Sequence, residues 1–565
     1  MKIALVTTPP TVRSGIADYT RRLLPYLREH ADVELFVEHG AGAPEWGDER
    51  ARSVLDLDPR RHDQIVYQLG NELSHGFMAR MVRAIGGTVV LHDWVLFDLA
   101  VGGFPALIRG GWKGHALALR EGGADELRVY ARNWLDRRRQ RAAPLVPEGV
   151  EAHEGPLLAG WHEPEPRGRW TADAASFRLP GAGIEEVQIE YEAERGRAVR
   201  LRQGPAELAT GSDGRIAARP GNEARPVLVL ETAGIRVTRE QRRHGDPRRI
   251  GCYVTSIRWR DGAGWHALDL GGPVARPIRT VHLTRDRFRL ALNRSVVRFA
   301  DALLVHSRHV KELVLRERNA ATAIGVVPHG AERRWSDEDR RERRRAFGLS
   351  PAWVESFLVT SFGGVQPHKR IEQALAALAL ARRTHPDIRM VLAGSLQNDE
   401  FDPVAEVRRL SLADAVRCPG FVPEADGWGW LHAGDVALNL RGPSTGGTSG
   451  GIFQAFSAGR AVIASDAAEQ RELPDSCTVK VPLGAGEVET LARILIDLRN
   501  DPARLARLEA GAREFVEREC HWSIVARRYA ELLESFPRPR IPRGKLVALR
   551  VRLLRNTRAG AGGAP

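Results

Sequence analysis

Hydrophobic positions in the first hundred residues follow two rhythms. Ile3-Ala4-Leu5-Val6, residues 65–68 and residues 88–91 are short, nearly continuous apolar runs. Bounded by polar or turn residues, they fit strands buried on both faces of a parallel sheet. Between the first two runs, Ile16, Thr20, Leu23, Leu24 and Leu27 recur at helical spacing, with Ser14 placed as an N-cap. Pro25 falls inside that helix and is predicted to bend or interrupt it, because proline lacks the backbone N–H. Strands alternating with helices predict an α/β sheet covered on both faces.

The rhythm changes near residue 157. Ser176-Phe177-Arg178-Leu179, Val187-Gln188-Ile189-Glu190-Tyr191 and Val199-Arg200-Leu201 alternate apolar and polar side chains, and residues 227–230, 234–237 and 253–259 do the same. Glycine, proline, aspartate and asparagine separate these segments, so an inserted all-β sandwich is predicted over residues 155–275. Strand and helix alternate again from Asn293, with strand-like runs at 302–306, 323–327, 357–361, 390–393, 436–440 and 461–465. The clearest helix of this part is 371–383.

Length and charge refine the picture. A chain of 565 residues suffices for three or four domains. No run of 18 apolar residues occurs, and the first apolar run is too short for a secretory leader, so the expected location is cytoplasmic. Cys252, Cys418, Cys477 and Cys520 form no CxxC pair, so neither a disulfide framework nor a metal site is expected. The net charge of +13 points to anionic partners, and only six of the 84 basic residues are lysine, so a lysine in a loop stands out. No nucleic-acid motif accompanies the charge, and no nucleic-acid partner is expected. The tail, residues 537–565, carries eight basic residues and no acid. It is expected to be flexible and to offer peripheral contact with an anionic membrane at the inner face of the cell membrane.

Three glycine-rich loops follow strand-like runs, where an open parallel sheet binds its ligands. Ser14-Gly15-Ile16-Ala17 opens the first helix, and glycine there lets backbone approach an anion. Ser361-Phe362-Gly363-Gly364 leads to Lys369 and Arg370 at a helix start, where two cations beside bare amides make a seat for a diphosphate. Residues 441–451 begin with Arg441 and hold five glycines and four hydroxyls, among them Thr448, Ser449 and Gly450. Such a loop places amides and donors around a phosphate at a helix N-terminus.

With Leu91-His92-Asp93, Val305-His306-Ser307, Pro328-His329-Gly330, Ala393-Gly394-Ser395, Gly420-Phe421-Val422-Pro423 and residues 458–466, the ordered set resembles a GT-B glycosyltransferase of the large retaining family 4, the glycosyl transferases group 1. The resemblance implies two Rossmann-like domains facing a cleft. Residues 1–150 and 276–335 would form the N-terminal, acceptor-side domain, with the sandwich inserted between them. Residues 340–515 would form the nucleotide-sugar-binding domain, and a helix at 516–536 would pack back on the N-terminal domain. The implied reaction is hexosyl transfer (EC 2.4 class), with retention, from a nucleotide sugar such as a GDP- or UDP-sugar to a glycan or lipid-linked acceptor. It would serve polysaccharide or glycoconjugate synthesis, with no cofactor and no metal.

By the same resemblance Lys369 aligns with a diphosphate-binding lysine, whereas its usual arginine companion falls at Gly364, leaving Arg370 or Arg441 to replace it. His92 aligns with a histidine near the transferred sugar, Phe421 and Val422 with the loop that meets the base, and Gly15, Gly363, Gly394 and Gly450 with donor-side glycines. Two glutamates usual in the family fall at Gly446 or Gly447 and at Gln454. Gln454 is then expected to supply neutral hydrogen bonds, with Glu469 or Glu472 as the remaining carboxylate and Glu472 the catalytic candidate beside His92. The same losses leave open a glycan-binding scaffold without turnover. Trp161, Trp170, Trp259 and Trp265 would form either a sugar-stacking platform or the core of the sandwich.

Overall fold

The computed structural model describes residues 1–9, 11–12, 14–40, 45–46, 49–141, 155–165, 167–194, 197–233, 250–272, 274–276, 287–317, 323–336, 338–395 and 401–539. The chain divides into two compact units, Met1–Ala100 with Ala291–Pro565, and Val101–Leu290. The 234–237 strand and nearly all of the basic tail, from residue 540 onward, lie outside the described residues.

The first unit opens with β1 (Lys2–Val6), whose Ile3, Ala4, Leu5 and Val6 are fully buried. It continues with α1 (Gly15–Leu27), β2 (Asp32–Val37), β3 (Arg52–Ser53), β4 (Gln64–Leu69) and β5 (Thr88–Leu91). After the second unit the chain returns with β6 (Ala302–Val305) and β7 (Ala323–Val326). These seven strands are parallel, in the order β7-β6-β5-β4-β1-β2-β3. The second unit thus interrupts the connection between two adjacent strands, β5 and β6.

Ser14 caps α1 by accepting from the Ile16 N–H. Pro25 does not break this helix, which runs on to Leu27. Pro25 and Arg21, four residues before it, are both exposed, so the backbone bond that proline cannot donate falls on the wet face near the helix end.

A second parallel sheet has the order β10-β9-β8-β11-β12-β13. Its strands are β8 (Phe357–Phe362), β9 (Ile388–Ala393), β10 (Val416–Gly420), β11 (Val436–Asn439), β12 (Val462–Ser465) and β13 (Thr478–Val481). Counted along the chain, the first sheet runs 3-2-1-4-5-6-7 and the second 3-2-1-4-5-6, the doubly wound order, so each has one point where the winding reverses. That point lies between β1 and β4 in the first sheet and between β8 and β11 in the second. Helix α2 (Arg308–Glu317) follows β6, α3 (Ile371–Ala381) follows β8 and α4 (Gly450–Ser457) follows β11, with α5 (Glu487–Asn500) after β13. The last helix, α6 (Trp522–Ser535), packs on α1: Trp522, Val525, Tyr529 and Leu533 share a core with Tyr19 and Leu23, and the Tyr19 and Tyr529 hydroxyls lie 2.9 Å apart.

The second unit is wider than the all-β stretch expected at 155–275. It also takes in helices Ala106–Arg109 and Gly111–Arg141, expected to complete the N-terminal domain, and these hold one another through a Tyr130 hydroxyl donated to Leu107 O (2.7 Å). Among the described residues between Leu157 and Arg276, ten strands pair almost wholly antiparallel. They form one continuous sheet rather than two facing ones. Strands Ala206–Gly211 and Arg215–Ala218, near opposite ends of its order, are joined by a short turn, so the sheet curls upon a single core of Trp161, Phe177, Ile189, Leu201 and Leu230. The four tryptophans form no common platform. Trp161 is in the core, Trp170 meets Tyr253, Trp259 stacks on His266, and Trp265 is exposed beneath Arg258 and Arg260.

Candidate functional site

The second sheet's reversal point collects the cationic residues. The loop after β8 carries Gly363 at φ 102°. A Cβ on Gly394, at the end of the neighbouring β9, would lie 2.1 Å from Gly363 O, so glycine there lets the two loops close. A short turn, Pro367–Lys369, brings the Lys369 ammonium against Gly363. Among the described residues it has no hydrogen-bond or ion-pair partner, and burial, with Arg441 nearby, pushes its pKa down to about 7.

The loop after β11 starts at Arg441, whose N–H donates to Ser465 Oγ (2.9 Å) and whose Nη2 donates to Ser449 Oγ (3.0 Å). Arg441 Nε is buried without a partner. Ser449 is the N-cap of α4, yet its hydroxyl makes no capping bond. Two half-buried cations beside the positive end of a helix repel one another. An anion placed among them relieves that repulsion, and a diphosphate fits that need.

Arg370 is not part of this seat. Its Nε donates to Glu487 Oε1 (2.9 Å) and its Nη2 to Glu487 Oε2, a bidentate pair with α5, so Arg441 is the arginine beside Lys369. Glu472, expected as the catalytic carboxylate, is exposed and accepts the backbone N–H groups of Arg308 (2.8 Å) and His309 (2.6 Å). It caps α2, its charge satisfied by that helix end.

Two other carboxylates reach the glycine loop. Glu469 Oε2 accepts the Ser444 hydroxyl at 2.6 Å, while Oε1 is buried without a partner, and burial raises its pKa. Asp93, after β5, accepts the Asn71 N–H at 3.1 Å and the Thr445 hydroxyl at 3.2 Å. Burial raises its pKa as well, against the pull of the Asn71 N–H and of Arg441. Next to it the Val95 N–H donates to Thr445 O (2.9 Å), tying β5's end to the loop.

His92 presents no free nitrogen. His306 Nδ1 lies 3.0 Å from Val327 O, which can only accept, so neutral His306 carries its proton there, and its Nε2 lies 3.2 Å from His92 Nδ1. His92 Nε2 donates to Gln68 Oε1, 2.7 Å away, since an amide oxygen can only accept. Both ring nitrogens thereby face groups of the protein. Burial, then the neighbouring histidines, hold the His92 pKa well below its usual value. Burial lowers His306 to about 4 and His329 to about 3.

Gly15, Gly450 and Gln454 do come together, with Tyr19, Arg22 and His329, around a cavity of about 240 Å³ between α1 and α4. Thr448 is half-buried in the loop. Phe421 is 61% exposed, and Val422 packs on the core beside β8. The residues that sequence reasoning passed over as a group are Asp93, His306 and His329. Each ends a strand or stands just beyond one, a signal visible only once the strands are ordered. Among the described residues no cluster of three or more histidine, cysteine or acidic side chains could hold a metal ion, and no helix is long and apolar enough to cross a membrane.

Two doubly wound sheets, one with a cationic seat at its reversal point, define a class of α/β protein whose ligands bind beyond the carboxyl ends of the strands. Comparison with known proteins adds to this: residues 356–501 match the family model of the glycosyl transferases group 1. The glycogen synthase of Mycobacterium tuberculosis is 25% identical over 289 residues, 50% of this chain and 64% of that protein. The GDP-mannose-dependent monoacylated alpha-(1-6)-phosphatidylinositol monomannoside mannosyltransferase of Corynebacterium glutamicum is 26% identical over 208 residues, 36% of this chain and 52% of that one. The match therefore spans just over half to just under two thirds of these relatives' lengths. Among solved structures, Anabaena Alr3699/HepE in complex with UDP and glucose is 22% identical over 45% of this chain and 68% of that chain, with a TM-score of 0.38.

Proposed function

We propose that the protein is a glycosyltransferase of GT-B architecture that moves a hexosyl group, with retention, from a nucleotide sugar to a hydroxyl of a glycan or lipid-linked acceptor. The observation that carries this reading is the pair of half-buried cations, Lys369 and Arg441, at the N-terminus of α4. A sugar leaves its donor as the diphosphate gains negative charge. Preformed cations and amides aimed at that charge stabilise the transition state more than the ground state. Lys369 takes up a proton as the anion arrives, because a nearby negative charge favours the ammonium. The match of residues 356–501 to the family model and the names of the two relatives support the same reading.

On this reading the donor is held by the second sheet and the acceptor enters from the first. The basic tail contacts an anionic membrane from the cytoplasmic side. A second reading has a specific observation behind it: His92 is sealed and Glu472 is a cap, as a binding scaffold without turnover would permit.

The experiment is a panel of UDP- and GDP-sugars, read by thermal stabilisation and by slow donor hydrolysis. A ligand that binds only the native state raises the melting temperature. Stabilisation with hydrolysis supports the transferase, stabilisation without hydrolysis or transfer supports the scaffold, and no stabilisation by any nucleotide sugar ends both readings of the seat.

A further inference from the structure

We propose that Asp93 is the sugar-contact residue of this site, accepting hydrogen bonds from ring hydroxyls of the group attached to the diphosphate. The inference rests on the nucleotide-sugar reading above and names the side chain that would recognise the sugar.

The first observation is one of space. A Cβ on Gly447 would lie 2.2 Å from Asp93 Oδ1, and one on Gly446, at φ 72°, would lie 2.5 Å from Trp94 Cβ. The glycine loop therefore has no room for a side chain of its own at these positions. The carboxylate found there comes from the end of β5 instead.

Second, the group is under-supplied with donors. An ionised carboxylate offers about four acceptor sites. Asp93 receives one backbone N–H and one hydroxyl at 3.2 Å. Glu469, holding the adjacent loop residue Ser444, is 6% exposed and keeps one oxygen without any partner. Buried acceptors are costly unless they are bonded, and a polyhydroxylated ring supplies donors at the needed density.

Third, Arg441 connects the two halves of the ligand. Its guanidinium bonds to Ser449 at the α4 N-terminus, and its charge acts on both Asp93 and Glu469. A sugar joined to a diphosphate in the Lys369–Arg441 seat is thus delivered beside these carboxylates.

The test is calorimetry of wild type and Asp93→Asn with UDP and UDP-glucose, and with GDP and GDP-mannose. Free UDP or GDP should bind the variant within about twofold of wild type, while the nucleotide sugar loses about ten- to a hundredfold, the worth of a hydrogen bond to a charged group. Equal loss for nucleotide and nucleotide sugar would overturn the inference, because Asp93 would then only pin Thr445. Thr445→Val measures that pinning alone and should weaken both ligands alike and slightly. Should Asp93→Asn not fold, the wild type still decides: at least one singly deoxygenated donor sugar should bind about tenfold more weakly than its parent. Uniform affinity across the deoxy series would overturn the inference. Wild type that binds neither free nucleotide fails at the diphosphate seat, an outcome distinct from a failed sugar contact and one that removes the basis of both.

Discussion

The two parallel sheets share one strand order and differ in what stands at the reversal point. In the second sheet two half-buried cations, Lys369 and Arg441, stand at a helix N-terminus, with the Lys369 ammonium unpaired and Arg441 Nε unsatisfied. In the first sheet the corresponding region is closed by its own bonds. Thr7 meets Thr20, Ser14 donates to Glu72, and His92 is held between Gln68 and His306. The fold provides a place for a ligand in both; the side chains leave only one of them short of a counter-ion.

The largest expected effect on binding is at Lys369. Lys369→Ala should weaken nucleoside diphosphate binding by about 1.5–3 kcal/mol, the worth of a charge-assisted hydrogen bond. Wild-type affinity should fall as pH rises above about 7, where the free ammonium loses its proton, and calorimetry at pH 6.5 and 8.5 reads both effects. The sign for the ligand-free fold is opposite. A lysine with a lowered folded pKa binds fewer protons than in the unfolded chain, so its contribution to stability rises between about pH 7 and the unfolded value of 10.5. Unchanged affinity in Lys369→Ala would erase the contrast between the two sheets.

A separate effect, on stability rather than on binding, belongs to the first sheet. His92, His306 and His329 are kept neutral by burial, so the unfolded chain takes up protons first on acidification. Stability should fall as pH drops below 6.5, by up to about 1.4 kcal/mol per pH unit for each such histidine. His329→Phe, in a ring cluster with Tyr19, Phe453 and Trp522, should make urea-denaturation stability less steep with pH between 4 and 6.5. An equally steep profile would mean that His329 titrates in the fold as it does in the unfolded chain.

The smallest effect is expected at Glu472. Glu472→Gln should cost about 0.5–1 kcal/mol of stability, the scale of a helix-capping charge, and leave donor affinity unaltered. A large loss of turnover with full donor binding would return Glu472 to the reacting groups.

What the sequence by itself determined is local. The period of apolar residues marked β1, β4 to β9, β11 and β12, and Ser14 announced the start of α1. Glycine clusters and a rare lysine marked both loops of the seat, because turns, caps and bare amides are written within a few residues. Strands β2, β3, β10 and β13 escaped because Asp32-Val33-Glu34-Leu35-Phe36-Val37 mixes its pattern, Arg52–Ser53 is two residues long, Val416–Gly420 is partly exposed and Thr478–Val481 is interrupted by Lys480. Only the tertiary structure decided who meets whom. Asp93 reaches Thr445 across 352 positions, Glu472 caps Arg308 across 164, and Arg370 is taken by Glu487 across 117. A carboxylate's role depends on which donors surround it, and local periodicity says nothing about donors brought from another sheet.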